Sequence, residues 1–183
     1  MYELDVLATQ WINGWAGRNS LADQIVILVS SVGVPLLVLA VAAQWWVRSN
    51  RPHTRYVLVA SGSSFLLGLG LNQIILLFLH RVRPYDSGVT HLLIERSADY
   101  SFPSDHATAS FAIAAAFLVH GMRIRGLIFL LAASLVALSR VYIGTHYVSD
   151  ALGGAVTAIL AACMVSVLYR QGTRMDRLIT SIL

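Results

Sequence analysis

The sequence SRVYIGTHYVSD, at residues 139–150, decides how this chain must fold. It joins two apolar segments, yet it contains Arg140, His146 and Asp150. Charged groups at membrane depth are costly and are usually functional. A helix would place His146 and Asp150, four residues apart, on one face. There the carboxylate can fix the tautomer of the ring, while Arg140 is suited to gripping a phosphoryl group. The segment therefore predicts phosphate chemistry at the end of a membrane helix.

The composition is that of an integral membrane protein. Of the 183 residues, 57% are hydrophobic and 12% are charged, and the mean hydropathy is +0.69. A soluble domain has about 25% charged residues. We expect one integral-membrane domain over residues 1–183. The net charge of +4 does not indicate a nucleic-acid partner, because the arginines cluster at the ends of apolar segments, as they do in membrane proteins.

The apolar pattern predicts an all-α, polytopic membrane helix bundle. About 20 apolar residues in a helix cross a bilayer. Five segments are candidate transmembrane helices, at about 23–47, 56–79, 104–120, 126–138 and 148–169. Residues 3–17 differ, because Leu4, Leu7, Trp11 and Trp15 recur at helical spacing among polar residues. This spacing predicts an amphipathic helix that lies in the membrane interface.

The loops alternate in charge. Those on one side carry eight arginines and one acid, Asp176, whereas those on the other carry five arginines and eight acids. The arginines of the first group are Arg48, Arg51, Arg55, Arg123, Arg125, Arg170, Arg174 and Arg177. Arginine-rich loops stay in the cytoplasm. This rule predicts a cytoplasmic C-terminus and places the 80–103 loop and the 139–150 segment on the outer face.

Two further polar clusters lie on the same predicted face. The first is HRVRP at 80–84, where basic residues at the end of a span have the alternative explanation of snorkelling to the interface. The second is FPSDH at 102–106, where Ser104 or Asp105 can cap a helix whose start offers N–H groups to an anion. His106 would lie in the first turn, although an incidental histidine beside a plain cap is the alternative. Agreement of three clusters on one face favours a common site.

With these clusters the chain resembles the type 2 phosphatidic acid phosphatase superfamily. The pattern of that family is a lysine seven residues before Arg-Pro, then Pro-Ser-Gly-His, then Ser-Arg-x5-His-x3-Asp. The third motif is complete here, at Ser139, Arg140, His146 and Asp150. The second has Asp105 in place of glycine, and the first keeps Arg83-Pro84 but has Leu76 in the lysine position. The second motif and the short chain resemble bacterial undecaprenyl pyrophosphate phosphatases of the bacitracin-resistance type.

The resemblance implies a role for each matched residue. His146 is expected to be the nucleophile, Asp150 its orienting partner, and His106 the acid that protonates the leaving oxygen. The implied phosphate-binding residues are Arg83, Arg140, Ser104, Asp105 and Ser139. His80 or Arg81 is a candidate to replace the missing lysine, since Leu76, His80 and Arg83 would share a face if the helix continued. Glu95 and Tyr100 are candidate head-group contacts.

The resemblance also implies an activity. We expect a metal-independent phosphatase without cofactor that hydrolyses undecaprenyl diphosphate through a phosphohistidine and so recycles the carrier lipid of cell-wall synthesis. The expected place is the bacterial cytoplasmic membrane, with the lipid bilayer and a polyprenyl diphosphate as partners and no obligate protein partner. Two alternatives stay open. One is another lipid phosphatase of the family, acting on phosphatidylglycerophosphate, phosphatidate or lipid A; the other is a transporter or binding protein for anionic lipids that performs no catalysis.

Overall fold

The computed structural model describes residues 2–181, and within that range every regular element is a helix. The helices are α1 (Tyr2–Asn13), α2 (Ser20–Ala43), α3 (Arg51–Leu76), α4 (Asp105–Val119), α5 (Arg123–Tyr142), α6 (Val148–Leu168) and α7 (Arg174–Thr180). A single 3₁₀ turn, Gln44–Trp46, continues α2. By length and composition α2, α3, α5 and α6 can each cross a membrane, and α4 is a shorter apolar helix. The predicted all-α membrane bundle is confirmed.

The helix ends differ from the predicted ones where hydropathy and helix geometry disagree. The fourth predicted span, about 126–138, is short for a membrane helix unless it continues past Arg140, and α5 does continue, to Tyr142. Its helix can carry Ser139 and Arg140 because both face protein, at 3% exposure for Ser139 and in a bond to Ser30 for Arg140. In the other direction, the interfacial helix was expected over 3–17 but ends at Asn13, and a turn with Gly17 at φ +79° follows.

Helix α4 is the centre of the bundle. It packs against α3, α5 and α6, and its buried face is made largely of small residues such as Ala107, Ala112 and Ala116. Small side chains allow membrane helices to approach closely. Helix α6 approaches α4 closely, since a Cβ added to Gly154 would lie 2.7 Å from the carbonyl oxygen of Ser104. The start of α4 is therefore held directly against the start of α6.

The two ends of the bundle differ in character. Helix α1, the 77–104 loop and the start of α6 lie at one end, where the polar motifs meet. At the other end α7 folds back, with the Tyr169 hydroxyl donating to Asp176 at 2.7 Å and Arg55 to the Thr180 carbonyl at 2.7 Å. The first end is the one that carries the candidate site.

Candidate active site

A cavity of about 240 Å³ lies at the first end of the bundle. The three motifs that are distant in sequence all reach its wall. Of the predicted site residues, Arg83, Tyr100, Asp105, His106, Arg140 and His146 line it. They come from the 77–104 loop, the start of α4, the end of α5 and the loop between α5 and α6. The common site expected from the sequence is therefore a single cavity in the structure.

His146 is held so that one ring nitrogen faces the cavity. The residue is 3% exposed, and its Nδ1 lies 2.8 Å from the carbonyl oxygen of Ser101. A carbonyl oxygen only accepts, so Nδ1 carries the proton of the neutral ring and Nε2 keeps its lone pair. Nε2 lies 3.4 Å from Nη1 of Arg83. Burial lowers the pKa of His146, and Arg140 and Arg83 lower it further, although Asp150 opposes them. These effects favour the neutral ring at neutral pH, the form in which Nε2 can act as a nucleophile.

Asp150 lies close to His146, but the two residues are not placed on one helix as predicted. His146 precedes α6, whose cap residue is Tyr147, so the two residues do not share a helix face and that part of the prediction is wrong. The nearest distance between them, from Nδ1 of His146 to Oδ2 of Asp150, is 3.6 Å. Oδ2 instead accepts from the Ser101 hydroxyl at 2.5 Å and from the Tyr147 N–H at 2.8 Å. Asp150 therefore acts on the ring by charge and through Ser101.

Arg83 is fixed mainly by neutral oxygens. It is 7% exposed, its Nε donates to the Asp99 carbonyl at 2.8 Å and its Nη1 to the Thr145 carbonyl at 3.1 Å. Carbonyl acceptors orient a guanidinium without neutralising it. The positive charge of Arg83 therefore remains available to an anion in the cavity.

Arg140 is the second cation of the cavity wall. Its Nη1 donates to the hydroxyl of Ser30 on α2 at 2.6 Å. Its Nε is buried and has no hydrogen-bond partner among residues 2–181. A buried donor without a partner is costly, and functional sites are where such a cost is met. The orientation of Arg140 is therefore suited to an anion that completes its hydrogen bonds.

The start of α4 provides the third side of the site. His106 lies in the first helical turn and lines the cavity. Ser104 is the cap residue by position, but its hydroxyl is fully buried, caps no N–H group and has no partner in the described part of the chain. Asp105 accepts from Nδ2 of Asn72 at 2.7 Å. Asp105 and His106 of this helix start line the cavity, whereas Ser104, which was predicted to bind phosphate, does not.

Several predicted contacts are not made. Ser139 donates to the carbonyl of Val136 in its own helix at 2.6 Å and does not line the cavity, because its position on α5 faces a neighbouring helix. Glu95 is exposed and has no side-chain hydrogen bond or ion pair to any residue within 2–181. The prediction that Leu76, His80 and Arg83 share a helix face is wrong, because α3 ends at Leu76.

The residues considered as replacements for the missing lysine do not take its place in the cavity. Leu76 lines the cavity, and so does Gln73 one turn before it. His80 is exposed, packs its ring at a tilt against Tyr100 with 4.5 Å between the ring centres, and does not line the cavity. Arg81 turns away from the cavity and pairs with Asp150 at 2.6 Å. Arg81 therefore does not take the place of the lysine at the phosphate.

Sequence reasoning missed the residues that hold the functional side chains. Ser101 contributes its carbonyl to His146 and its hydroxyl to Asp150, and Ser30 holds Arg140. Ser30 has no motif around it, and only the packing of α2 on α5 brings it to Arg140. Ser101 stands two residues before Pro103, so its closeness to a motif was a signal that it could be part of the site.

The arrangement can perform phosphoryl transfer. Two arginines, the start of a helix, a neutral imidazole and a second histidine surround one cavity. Among residues 2–181 there is no group of three or more His, Cys, Asp or Glu side chains placed to hold a metal ion. The positive charge in this wall comes from Arg83 and Arg140.

Comparison with known proteins agrees with this geometry. The sequence pattern of the PAP2 superfamily matches residues 24–174. The chain is 35% identical over 152 residues to undecaprenyl-diphosphatase BcrC of Bacillus subtilis strain 168, covering 81% of this chain and 76% of that protein. It is 30% identical over 137 residues to the putative undecaprenyl-diphosphatase YbjG of Escherichia coli K12, covering 75% of this chain and 67% of that protein.

A solved structure has the same fold. The PAP2-type phosphatidylglycerolphosphate phosphatase of Bacillus subtilis superimposes with a TM-score of 0.64 at 24% identity, covering 94% of this chain and 88% of that one. Sequence pattern, relatives and fold agree over most of the chain, which therefore belongs to the PAP2 superfamily.

Proposed function

We propose that this protein is a membrane phosphatase that hydrolyses undecaprenyl diphosphate to undecaprenyl phosphate and inorganic phosphate. The named function of the relatives BcrC and YbjG supports this substrate. The observation that carries the proposal is the position of His146, whose Nε2 faces a cavity walled by Arg83 and Arg140. The biological role is to recycle the carrier lipid of cell-wall synthesis.

In the first step the substrate is cleaved. Nε2 of His146 attacks the terminal phosphorus, the bond from that phosphorus to the bridging oxygen breaks, and undecaprenyl phosphate leaves with both electrons of that bond. His106 protonates the leaving oxygen. Arg83, Arg140 and the start of α4 bind the oxygens on which negative charge lies in the transition state. Asp150 stabilises the positive ring of the phosphohistidine.

In the second step water releases the phosphate. His106, now neutral, takes a proton from a water molecule, whose oxygen attacks the phosphorus of the phosphohistidine. The P–N bond breaks, Nε2 recovers its lone pair, and inorganic phosphate leaves. The two arginines supply the positive charge that a metal ion supplies in other phosphoryl-transfer enzymes, so the reaction requires no metal.

We further propose an orientation in the bacterial cytoplasmic membrane. The eight arginines of the 48–55, 123–125 and 170–177 regions lie in the cytoplasm, and so does the C-terminus. The cavity then opens on the outer side of that membrane. The charge asymmetry between the two ends of the bundle supports this arrangement.

Phosphate release from purified protein tests the activity. Wild type, His146→Ala and His91→Ala are offered undecaprenyl diphosphate, phosphatidylglycerophosphate and phosphatidate separately, with EDTA present. His91 is the matched control, because it is an exposed histidine that does not line the cavity. We expect undecaprenyl diphosphate to be the best substrate, His91→Ala to be as active as wild type, and His146→Ala to lose more than about 10³-fold.

Each other result has a definite meaning. A preference for phosphatidylglycerophosphate or phosphatidate would replace the proposed substrate by another lipid of the same family. Full activity in His146→Ala would exclude His146 as the nucleophile. No release from any of the three by folded wild-type protein would overturn the proposed function and favour binding or transport of an anionic lipid.

A further inference from the structure

A buried polar stripe runs along α1. Asp5, Thr9 and Asn13 are four residues apart, so they share one helix face. Thr9 is 0% exposed and Asn13 is 5% exposed. The opposite face carries Leu4, Leu7 and Trp11, each more than half exposed. A helix at the membrane surface has such an apolar outer face. The burial of polar residues at regular spacing on the other face indicates a specific attachment to the protein.

The stripe is attached on both sides of the loop that carries His146. Asn13 donates through Nδ2 to the Tyr142 carbonyl at 2.7 Å, before the loop, and accepts from the His91 N–H at 2.7 Å. Thr9 accepts from the Val148 N–H at 3.1 Å, after the loop. Asp5 accepts from the Ser149 N–H at 2.9 Å through Oδ1. Helix α1 therefore fixes both ends of the segment between α5 and α6.

Arg81 extends this attachment to Asp150. Its Nη2 donates to Oδ2 of Asp5 at 2.6 Å and its Nη1 to Oδ1 of Asp150 at 2.6 Å. The guanidinium lies over the ring of Tyr147, with Cζ 3.8 Å from the ring centre. Asp150 is 0% exposed. One guanidinium thus bridges two carboxylates, one on the interfacial helix and one behind the nucleophile.

We propose that Asp5 and Arg81 are positioning residues, through which α1 sets the orientation and the effective charge of Asp150 behind His146. Neither residue lines the cavity, so neither touches the substrate. This inference rests on the proposed function of His146 and adds to it a role for an interfacial helix that lies outside all three sequence motifs.

The charges around Asp150 predict the direction in which each substitution should shift the pKa of His146. The charged and titratable groups that face His146 or share its cavity are Arg83 and Asp99 from the 77–104 loop, Asp105 and His106 from α4, Arg140 from α5 and Asp150 from α6. The effect of Asp150 on the ring depends on how far Arg81 neutralises it. Asp5 shares the charge of Arg81, so removing the charge of Asp5 leaves Asp150 more fully neutralised, whereas removing the charge of Arg81 leaves Asp150 less so.

Two substitutions should therefore shift the pH dependence in opposite directions. Asp5→Asn is expected to move the acidic limb of kcat/KM to lower pH, and Arg81→Gln to higher pH, each by on the order of a few tenths of a pH unit. The double variant Asp5→Asn/Arg81→Gln should lie between them. Loss of a charge-assisted hydrogen bond should lower kcat of each single variant by about tenfold. Glu3→Gln is the matched control, since Glu3 is an exposed acid on the same helix.

A role in stability alone predicts a different result. In that case the variants would lose thermal stability and folded protein, but the folded fraction would keep the wild-type pH limb. Arg81→Lys separates charge from geometry, because a lysine keeps the charge but cannot bridge both carboxylates. We expect Arg81→Lys to keep the pH limb close to that of wild type and to lose kcat. Limbs that stay fixed, or that move in the same direction in Asp5→Asn and Arg81→Gln, would overturn the proposal.

A measurement without turnover distinguishes this inference from the proposed function. The ring of His146 is titrated by NMR in detergent-solubilised protein with labelled histidine, the signal being assigned by its absence in His146→Ala. The pKa of His146 should fall in Asp5→Asn and rise in Arg81→Gln. Opposite shifts in a protein that releases no phosphate would support the network and overturn the phosphatase; an active protein whose His146 titrates identically in all variants would do the reverse.

Discussion

The hydrogen bond of Nδ1 fixes the direction of the His146 ring, and the nitrogen that faces the cavity, Nε2, has a longer contact of 3.4 Å to Nη1 of Arg83. Nδ1 is bonded to a backbone carbonyl at 2.8 Å, which cannot move without the chain around Ser101. Asp150 is in turn held by a hydroxyl, an N–H group and a guanidinium. A nucleophile whose tautomer and orientation are already set needs no rearrangement before attack. At this scale the reactivity of the site follows from which atom each hydrogen bond reaches.

The pH dependence of turnover should report the burial of His146. Burial, reinforced by Arg140 and Arg83, holds the pKa of this ring below its ordinary value of 6.5 despite the opposing charge of Asp150. In the proposed mechanism the neutral ring is the nucleophile, so activity is full above the pKa and falls below it. We therefore expect the acidic limb of kcat/KM, measured with undecaprenyl diphosphate, to lie below pH 6.5.

A control shows whether the acidic limb reports the ionisation of His146 or that of the substrate. Ionisation of the substrate is the same for every variant. Asp150 raises the pKa of His146, so Asp150→Asn should move the acidic limb further down while lowering kcat. A limb at or above pH 6.5 in wild type, or one that Asp150→Asn leaves unchanged, would contradict the assignment of this limb to His146.

The sequence predicted the chemical groups of the site better than their supports. Arg83, His106, Arg140 and His146 could be recognised because charged residues are rare in an apolar chain and stand at helix ends on one side. Ser30 and Ser101 could not, since serines are common and their roles depend on tertiary contacts. Arg81 was predicted to replace the missing lysine, but it pairs with Asp5 and Asp150 instead, a contact that depends on how the 77–104 loop folds against α1 and α6.

At the scale of elements, the close contact of α4 with α6 aligns the two helix starts that carry His106 and Asp150. The backbone N–H of Ser104 donates to the carbonyl of Asp150 at 3.1 Å across this contact. Gly154 permits it, since an added Cβ would approach the Ser104 carbonyl, the Cβ of Ala107 at 3.0 Å and the Thr108 nitrogen at 3.0 Å. Two of these three atoms are backbone, which does not move aside as a side chain does.

Substitution of this glycine should therefore separate the two helix starts. We expect Gly154→Ala to destabilise the protein by about 1–3 kcal/mol, the usual cost of overpacking, and to lower phosphate release. Gly62→Ala in α3 is the matched control, because a Cβ there meets no atom within 4 Å. Alanine is also the better helix former, so this control should be neutral or slightly stabilising.

Thermal unfolding in detergent and phosphate release are measured on both variants. Equal behaviour of Gly154→Ala and Gly62→Ala would show that the α4–α6 contact adjusts without cost, and would remove the structural reason for glycine at position 154.

The ends of the elements show where hydropathy is an incomplete guide. The apolar pattern identified α2, α3, α5 and α6 because lipid-facing helices are apolar over their full length. It left the end of α5 open between residue 138 and a point beyond Arg140, because hydropathy does not show that the polar residues after 138 face protein rather than lipid. It predicted α1 from the spacing of its apolar residues, whereas the polar face of α1 makes the hydrogen bonds that attach this helix to the rest of the protein.

At the scale of the whole molecule, the two ends of the bundle carry different charge patterns and different tasks. The cavity and its acids and histidines lie at one end, and the arginine-rich turns with α7 at the other. The positive-inside rule converts this asymmetry into an orientation. It follows that a membrane-impermeant reagent should distinguish the two ends in intact cells.

Cysteine labelling tests that orientation. Cys163, the one cysteine of the chain, is first replaced by serine, and single cysteines are then introduced by Ala98→Cys in the 77–104 loop or Ser49→Cys between α2 and α3. Both positions are exposed. In spheroplasts we expect an impermeant maleimide to label Ala98→Cys, and to label Ser49→Cys only after the membrane is permeabilised. The reverse pattern would place the cavity on the cytoplasmic side.

The shortness of α4 has a consequence for how substrate and enzyme meet. Its 15 residues extend about 22 Å, less than the roughly 30 Å of a hydrocarbon core. If the other end of α4 is level with the ends of the neighbouring helices, His106 and the cavity lie below the level that the longer helices reach. A lipid can then deliver its phosphates while its tail remains among other tails. Encounter becomes a two-dimensional search, governed by the number of substrate molecules per unit of membrane area and not by their number per unit of volume.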